Sequence, residues 1–385
     1  MIKNSRINSL LTLLPLLVSV SFAAFLDLEK LQYELFKTWS TKNFKRYGVD
    51  ETPIRFTVWK SNHDLIEQHN AKNLSWRLGL NEFSDMTPEE FSALHLGFKF
   101  QGSSSSSALP KIPGFPSLPN FPNIPMFPNF QPTPIPTPTP TPNGNSGNAN
   151  QTMINKLMKV NVSSKSFDWR SKGVVTPVKD QGSCGSCWTF STTGALEGLY
   201  AIQNQKLLSF SEQQILDCST NGGNQGCNGG TFVSAFEYTQ QNGIELESDY
   251  AYTGKKGSCK HTSSSSSKSV FKNAGYVQLP ANNVTLMKAA VTLQPLAVAV
   301  EANEQSFQNY KSGILSGNCG TDLDHAVLIV GYDTQDGVDY WIVKNEWGTS
   351  WGEKGYIRID IGTQNSGKGV CGINMVTAFP VTEVI

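Results

Sequence analysis

A proline-rich stretch separates two regions of this 385-residue chain and cannot itself form a packed domain. Of the 20 prolines, 13 lie within residues 110–142, first at every third position and then at every second. Proline lacks the backbone N–H that helices and sheets require, and a three-residue period matches the polyproline II helix. We therefore predict an extended tether over residues 101–160, with a folded region on either side. A ligand for a polyproline-binding module is the alternative interpretation.

The amino terminus has the layout of a secretory signal. Lys3 and Arg6 precede an apolar run over residues 10–20, and small residues follow where a signal peptidase would cut. We predict a signal peptide over residues 1–23, the alternative being a buried amino-terminal helix. No later run reaches the roughly 18 apolar residues of a membrane span. The predicted destination is the secretory pathway, a lysosome-like vacuole or the cell exterior, and four glycosylation sequons fit it: Asn73, Asn150, Asn161 and Asn283.

The charge distribution argues against two classes of partner. The chain has 31 basic and 31 acidic side chains, without a run of Lys or Arg. Binding to nucleic acid or to an anionic membrane depends on clustered positive charge. We therefore expect neither of these as the main partner, and we expect a monomer.

The cysteines are confined to the second half of the chain. All seven lie between Cys184 and Cys371. In a secreted chain an odd number predicts disulfide bridges plus one thiol left over. The sequence alone permits many pairings, so parity predicts a free thiol without identifying it.

The two flanking regions differ in predicted secondary structure. In residues 24–100 apolar side chains recur at helical spacing, which predicts a small α-helical domain. From residue 161 onward, a helical stretch over residues 187–203 precedes short β-like runs such as 296–300 and 326–330. This order predicts an α+β fold with one helical lobe and one β-rich lobe.

Cys187 is the candidate nucleophile. It stands at the start of the predicted helix, where free backbone N–H groups and the helix dipole stabilise a thiolate. Such a nucleophile needs a base, and of the five histidines His325 is favoured because it lies in an apolar, strand-like run. The imidazole in turn needs an orienting group, and Asn345 lies on the next strand-like segment. A metal site that uses Cys184 and Cys187 is the alternative.

The sequence CGSCW at residues 184–188 resembles the signature of papain-like cysteine proteases. His325 and Asn345 follow in the order that the family leads one to expect. The resemblance implies Cys187 as nucleophile, His325 as general acid and base, and Asn345 as orienting group. It implies the Gln181 amide as oxyanion donor. It further implies a two-lobe papain-like fold over residues 161–385, with a helical left lobe and a β-barrel-like right lobe, polypeptide substrates, and neither cofactor nor metal.

The region before the tether resembles the inhibitory prodomain of the cathepsin L-like branch of this family. The resemblance rests on one face of a predicted long helix and on a second motif after it. The helix positions are Glu51, Arg55, Trp59, Asn62, Ile66 and Asn70, and those of the second motif are Gly79, Asn81, Phe83 and Asp85. The resemblance implies a zymogen that residues 24–100 inhibit from within the same chain. Without it, Glu51 and Arg55 would be interpreted only as a surface ion pair.

The resemblance also implies disulfide pairs and substrate-binding residues. The implied pairs are Cys184–Cys227, Cys218–Cys259 and Cys319–Cys371, which leaves Cys187 free in agreement with the odd count. The implied substrate-binding residues are Gly229, Gly230, Thr231, Phe232, Ala299, Asp324, Ala326, Trp347 and Val376. The S2 pocket positions among them are mostly apolar and have no acid at the floor. We therefore expect an endopeptidase that prefers apolar or aromatic P2 side chains.

Three positions depart from the family pattern. Glu346 stands where serine is usual, Trp59 where phenylalanine is usual, and Ser164 where many relatives have proline. We expect the processing site within residues 158–165. Glu346 is expected either to raise both active-site pKa values through its charge or to point into solvent without effect. For the whole chain, the remaining alternative is a catalytically silent relative that acts as a binding or inhibitory protein.

Overall fold

The computed structural model describes residues 28–99, 146–162, 164–261, 268–317, 319–362 and 367–383. The predicted signal peptide and the proline-rich run over residues 110–142 lie outside the described residues, so both stay predictions. Within these ranges, none of the helices combines the length and the hydrophobicity that crossing a bilayer requires.

The amino-terminal region is helical, as predicted. It contains a helix over residues 28–42 (α1), then α2 (Thr52–Ala71), a short strand β1 (Trp76–Leu78) and α3 (Pro88–His95). Both α2 and α3 have proline in their first turn, where the missing N–H costs nothing. Trp59 on α2 packs against Phe36 and Trp39 on α1. This region therefore has a small aromatic core of its own.

A helix that the sequence analysis did not predict lies within the range assigned to the tether. This helix, α4, spans Ser146–Leu157. Met153, Ile154 and Leu157 are buried in the largest hydrophobic cluster. The backbone N–H of Gln278 also donates to Asn150 Oδ1 at 3.1 Å. The last part of the predicted tether is thus a helix packed on the second folded region.

The helical lobe of the second region is built around α5 (Cys187–Asn204), with α6 (Glu212–Cys218) and α7 (Phe232–Asn242). Most of α5 is buried, including its hydroxyl side chains. These hydroxyls donate to the preceding turn, as Thr192 Oγ1 does to the Trp188 carbonyl at 2.7 Å. Because its polar groups are satisfied in this way, α5 can cross the interior and begin at the boundary between the lobes.

The other lobe is a sheet. In chain order, its strands after β1 are β2 (Phe167–Asp168), β3 (Gly275–Gln278), β4 (Leu296–Val300), β5 (Tyr310–Leu315), β6 (His325–Gln335), β7 (Val338–Lys344), β8 (Tyr356–Asp360) and β9 (Thr377–Val381). Helices α8 (Val284–Val291) and α9 (Gln305–Gln308) and three 3₁₀ turns, Trp169–Lys172, Gly226–Asn228 and Val370–Gly372, complete the described elements. The strand order is β1-β5-β8-β7-β6-β4-β9-β3, with β2 paired to β6. The predicted α+β architecture of two lobes is confirmed.

The first region contributes a strand to this sheet. β1 pairs antiparallel with β5, with Trp76 opposite Gly313 and Arg77 opposite Ser312. Gly313 has φ +94°, and a Cβ there would lie 2.3 Å from the Ser75 carbonyl oxygen. Glycine is therefore required at position 313, where β5 approaches the backbone before β1. The two folded regions share one hydrogen-bonded sheet.

Three disulfides link the cysteines in the predicted pairs. They join Cys184 to Cys227, Cys218 to Cys259 and Cys319 to Cys371. Cys187 is the free cysteine of the chain. Because Cys184 is consumed by a bridge, the alternative of a metal site on Cys184 and Cys187 is wrong.

Candidate active site

Cys187 is the first residue of α5 and is completely buried at the boundary between the lobes. Backbone N–H groups of the first turn have no partner within the helix, and they stabilise negative charge beside them. The disulfide at Cys184 fixes the loop immediately before the helix. The fold thus holds one reduced thiol at a helix amino terminus.

His325 and Asn345 come together because their strands are neighbours. His325 begins β6, Asn345 directly follows β7, and the two strands pair antiparallel. His325 Nε2 lies 2.8 Å from Asn345 Oδ1. An amide oxygen only accepts, so Nε2 carries the hydrogen and Nδ1 is left unprotonated when the ring is neutral. The ring of Trp347 stacks on the imidazole at 4.6 Å and shields this contact.

Three groups of different chemistry converge at this point. Cys187 Sγ, a ring nitrogen of His325 and a carboxylate oxygen of Glu346 all lie within 4.8 Å of one another. Burial lowers the pKa of His325 to about 3, against the hydrogen bond that its Nε2 donates to Asn345. Burial, and then the charge of Glu346, raises the pKa of the Cys187 thiol well above its usual range. With the prodomain covering them, the thiol and the imidazole are therefore both neutral.

Gln181 presents its amide to the same place. Its Nε2 donates to the Cys184 carbonyl at 2.6 Å and to the carbonyl of His95 at 2.9 Å. Trp347 Nε1 donates to Gln181 Oε1 at 3.2 Å and so fixes which end of the amide faces the cleft. His95 belongs to α3 of the first region. The amide predicted as oxyanion donor is thus bound to a prodomain carbonyl group.

Residues 97–99 of the first region occupy the cleft as an extended strand. The backbone N–H groups of Gly97 and Phe98 donate to the Asp324 carbonyl at 3.0 and 2.8 Å. Gly230 donates to the Gly97 carbonyl at 2.8 Å, and Lys99 donates to the Gly230 carbonyl at 3.0 Å. The pairing with Gly230 is parallel. The backbone of Gly97 also contacts the Cys187 thiol, which is thereby closed off from substrate.

The glycine next to this pair permits the close approach. Gly229 has φ +106°, and a Cβ there would lie 2.4 Å from the Gly97 carbonyl oxygen. A side chain at this position would therefore collide with the backbone in the cleft. The interpretation of residues 229 and 230 as a cleft wall, rather than a simple turn, agrees with this geometry.

Phe98 fills the predicted S2 pocket. Its ring stacks on Phe232 with the centroids 5.2 Å apart. Predicted pocket residues Ala299, Ala326 and Val376 belong to the same buried cluster. Thr231 caps α7 at the pocket edge. The sequence analysis missed Phe98, although an aromatic residue directly after Gly97 in a prodomain was a usable signal.

The predicted prodomain motifs dock on the sheet lobe. Asn81 Nδ2 donates to the Gln308 carbonyl at 2.7 Å, and the Gly79 N–H donates to the Asn309 carbonyl at 2.9 Å. Asn62 Oδ1 accepts from Gln305 Nε2 at 2.9 Å. The Phe83 ring meets Trp347 edge-on at 5.8 Å. These contacts hold the first region against α9 and the active site.

The other motif residues stabilise the first region internally. Arg55 binds Glu51 at 3.1 Å and Glu90 at 2.8 Å, so it is more than a surface pair. Asp85 accepts from Lys45 Nζ at 3.1 Å and from Tyr47 Oη at 2.6 Å. The remaining positions are the buried Trp59 and Ile66, and Asn70, whose side chain bonds the backbone of Leu78 in both directions.

Comparisons with known proteins identify the class that this fold and site define. A family model described as papain family cysteine protease matches residues 163–381, and a model described as cathepsin propeptide inhibitor domain matches residues 36–91. The chain therefore belongs to the papain family of cysteine proteases and carries the family's inhibitory propeptide.

Relatives with the same organisation are found in plants. Thiol protease SEN102 of Hemerocallis sp. is 39% identical over 354 residues, which cover 91% of this chain and 86% of the relative. Germination-specific cysteine protease 1 of Arabidopsis thaliana is 37% identical over 359 residues, which cover 90% and 84%. Among solved structures, the proform of the ragweed pollen cysteine protease Amb a 11 superposes with a TM-score of 0.71 at 30% identity, covering 91% of this chain and 95% of that one.

We expect His95, which lies over the active site, to make docking of the prodomain depend on pH. Its ring lies between those of Phe83 and Phe91, at 4.7 and 5.2 Å. Burial lowers the pKa of His95 to about 4, against a backbone hydrogen bond to Gly182 and with a small contribution from Lys45. His325 is the other titratable group that faces it. We expect release of the prodomain to expose this ring to water, which would return its pKa to about 6.5.

Binding of the prodomain to the second folded region should therefore weaken in acid. Below about pH 6.5 the His95 ring of the released prodomain binds a proton, whereas the ring of the docked prodomain binds one only below about pH 4. The free energy of docking therefore becomes less favourable as the pH falls through this range. We expect the rate at which a thiol-directed peptide epoxide labels the proenzyme to rise at least about tenfold from pH 7 to 4.5. The rate is normalised at each pH to that of the mature enzyme.

His95→Gln removes the titration and should keep this rise below about threefold. His63→Gln is the matched control, because His63 stacks on Trp59 inside the prodomain's own core rather than over the cleft. An unchanged acid response in His95→Gln would show that another group controls release.

Proposed function

We propose that the chain is made as an inactive zymogen and, once released, cleaves internal peptide bonds through Cys187, His325, Asn345 and Gln181. In this proposal Cys187 is the nucleophile and His325 the general acid and base. Asn345 is the positioning residue and Gln181 the oxyanion donor. The preferred P2 side chains are apolar or aromatic.

The proposed reaction begins when the Cys187 proton moves to His325 Nδ1, giving a thiolate and an imidazolium. The thiolate attacks the scissile carbonyl carbon, and the oxyanion is stabilised by Gln181 Nε2 and the backbone N–H of Cys187. His325 then gives its proton to the leaving amine, which leaves a thioester on Cys187. Water, deprotonated by His325, attacks the thioester carbonyl. The C–S bond of that intermediate then breaks, which releases the carboxylic acid product, and Cys187 Sγ takes the proton back from His325.

One observation carries this proposal: the prodomain segment in the cleft already makes the contacts that a substrate would need. The His95 carbonyl accepts from Gln181 Nε2, Gly97 covers the thiol, and Phe98 fills an apolar pocket beside Phe232. An inhibitor built into the chain is expected to use the same binding groups as the substrate. The aromatic ring of Phe98 supports the proposed preference at P2.

The test is a substrate panel on the activated enzyme. Fluorogenic peptides that differ only at P2 should give kcat/KM at least about tenfold higher for Phe and Leu than for Asp or Lys, because the pocket offers no charged partner. The concentration of active enzyme is set by titration with the thiol-directed peptide epoxide, and the modified residue is located by mass spectrometry. Failure to label Cys187 would support the catalytically silent alternative, and a preference for Asp or Lys would refute the proposed pocket.

For its location we propose the secretory pathway, with a vacuole or the exterior as destination. Three disulfides support this, because structural disulfides persist mainly in oxidising compartments. Amino-terminal sequencing of protein from the medium and from vacuoles would decide between the two and would locate both cleavage sites.

A further inference from the structure

Glu346 lies inside the molecule, behind the catalytic histidine. Its residue exposure is 4%, so the expectation that it points into solvent is wrong. Its Oε1 lies 3.3 Å from His325 Nε2, the same nitrogen that contacts Asn345 Oδ1 at 2.8 Å. The Nε2 hydrogen is bonded to Asn345 Oδ1, and Glu346 Oε1 lies beside it at ion-pair distance without a hydrogen-bond partner of its own.

Charged groups from several elements surround Glu346. It lines a small cavity together with charged or polar side chains from the loop before α5, from α5, from α6 and from the end of β7: Lys179, Thr193, Glu197, Glu212, Lys344 and Asn345. Cys187 and His325 face it from the cleft side, and Glu247 stands behind Glu212. Two lysines thus face three carboxylates in the cavity.

Both lysine ammonium groups are bonded to side chains other than Glu346. Lys179 Nζ binds Glu197 at 2.9 Å and Glu212 at 2.5 Å. Lys344 Nζ donates to Thr176 Oγ1 at 2.9 Å. Among the described residues, the imidazole is the basic group that lies within ion-pair distance of Glu346. An imidazolium would therefore supply the charge that this cluster lacks.

We propose that Glu346 is a second positioning residue for His325, holding a carboxylate 3.3 Å from the nitrogen that bonds Asn345 and stabilising the imidazolium through its charge. This role rests on the proposed function of His325. It distinguishes this chain from relatives with serine at the position, because a serine hydroxyl is neutral and shorter. The predicted consequence is that Asn345 and Glu346 partly replace one another.

Burial keeps the Cys187 thiol and the His325 imidazole neutral while the prodomain is docked. Burial raises the pKa of Glu346 well above its usual range, with Lys344 opposing and Glu212 adding to the shift. When the prodomain leaves, water enters the cleft, and we expect the Glu346 carboxyl to ionise as the thiolate and the imidazolium form. The carboxylate then favours the imidazolium and disfavours the thiolate, so it raises both pKa values.

A double-mutant cycle on the full-length, self-activated enzyme tests the proposal. We expect Glu346→Ser to lower kcat/KM about threefold, Asn345→Ala about tenfold, and the double variant at least about 300-fold, well beyond the product of the two. Glu346→Gln, which keeps the shape and removes the charge, should move both limbs of the kcat/KM profile toward acid by about 0.5 to 1 pH unit at low salt.

Glu245→Gln is the matched control, because Glu245 is also buried beside a histidine, His261 at 2.6 Å, in the helical lobe. It should leave the pH profile unchanged. Multiplicative effects in the cycle, or coincident profiles for wild type and Glu346→Gln, would overturn the proposal while epoxide labelling at Cys187 still upheld the proposed function. Loss of that labelling in the wild type would overturn both.

Discussion

Replacing Cys187 with alanine should lower kcat/KM for peptide hydrolysis by at least about 10⁴-fold, because the substitution removes the nucleophile of a unit that acts together. Folding should survive. Cys187 takes part in none of the three disulfides, and alanine is a good helix former at the first position of α5. The measurement is hydrolysis of a fluorogenic peptide by protein activated with a trace of wild-type enzyme.

Secretion and thermal unfolding of Cys187→Ala are the controls for folding. The variant proenzyme should also remain uncleaved when incubated alone in acid, and wild-type enzyme added in trans should process it. Residual hydrolysis within tenfold of wild type would mean that another group performs the attack.

Gln181→Ala should lower kcat by about 100- to 1,000-fold with little change in KM, which is the usual cost of removing one oxyanion donor. The amide contacts the carbonyl of His95 in the zymogen, and that carbonyl marks where a substrate oxygen would lie. The same substitution removes a hydrogen bond to the prodomain that contributes about 1 kcal/mol, so the prodomain should be released slightly more readily.

The control for Gln181→Ala is Gln214→Ala in the helical lobe. Gln214 is likewise fully buried, and its amide donates to Tyr238 and to the Gly243 carbonyl. Both substitutions should therefore reduce stability, but only Gln181→Ala should reduce kcat. Equal losses of kcat in the two variants would show that the effect at Gln181 is structural.

Regular spacing and cysteine parity made much of the molecule predictable. The helix positions Trp59, Asn62 and Ile66 are all buried, as expected for one face of α2. The odd cysteine count agrees with the free Cys187, and the pairs of the three disulfides were predicted by the family resemblance. Periodicity and parity are local or arithmetic properties, so a single sequence displays them directly.

Features that depend on distant partners were not predictable. The three-residue strand β1 exists because β5 lies opposite it, more than 200 residues later in the chain. Helix α4 has few apolar residues in a polar stretch. Its burial could not be predicted because Met153, Ile154 and Leu157 pack on a core formed by distant parts of the chain. The orientation of the Glu346 side chain was equally unpredictable, because its position next to Asn345 in the chain does not determine which way the side chain points.

The pairing of β1 with β5 also determines which sheet edge is exposed after activation. When β1 departs with the prodomain, the first half of β5 becomes a sheet edge with unpaired backbone groups, and such edges invite other chains to add strands. Here the exposed edge is only about four residues long, carries Lys311 and is kinked at Gly313, all of which oppose self-association. The mature protease should therefore stay dispersed at high concentration, and replacing Lys311 with valine would be expected to make it more prone to aggregate after, but not before, maturation.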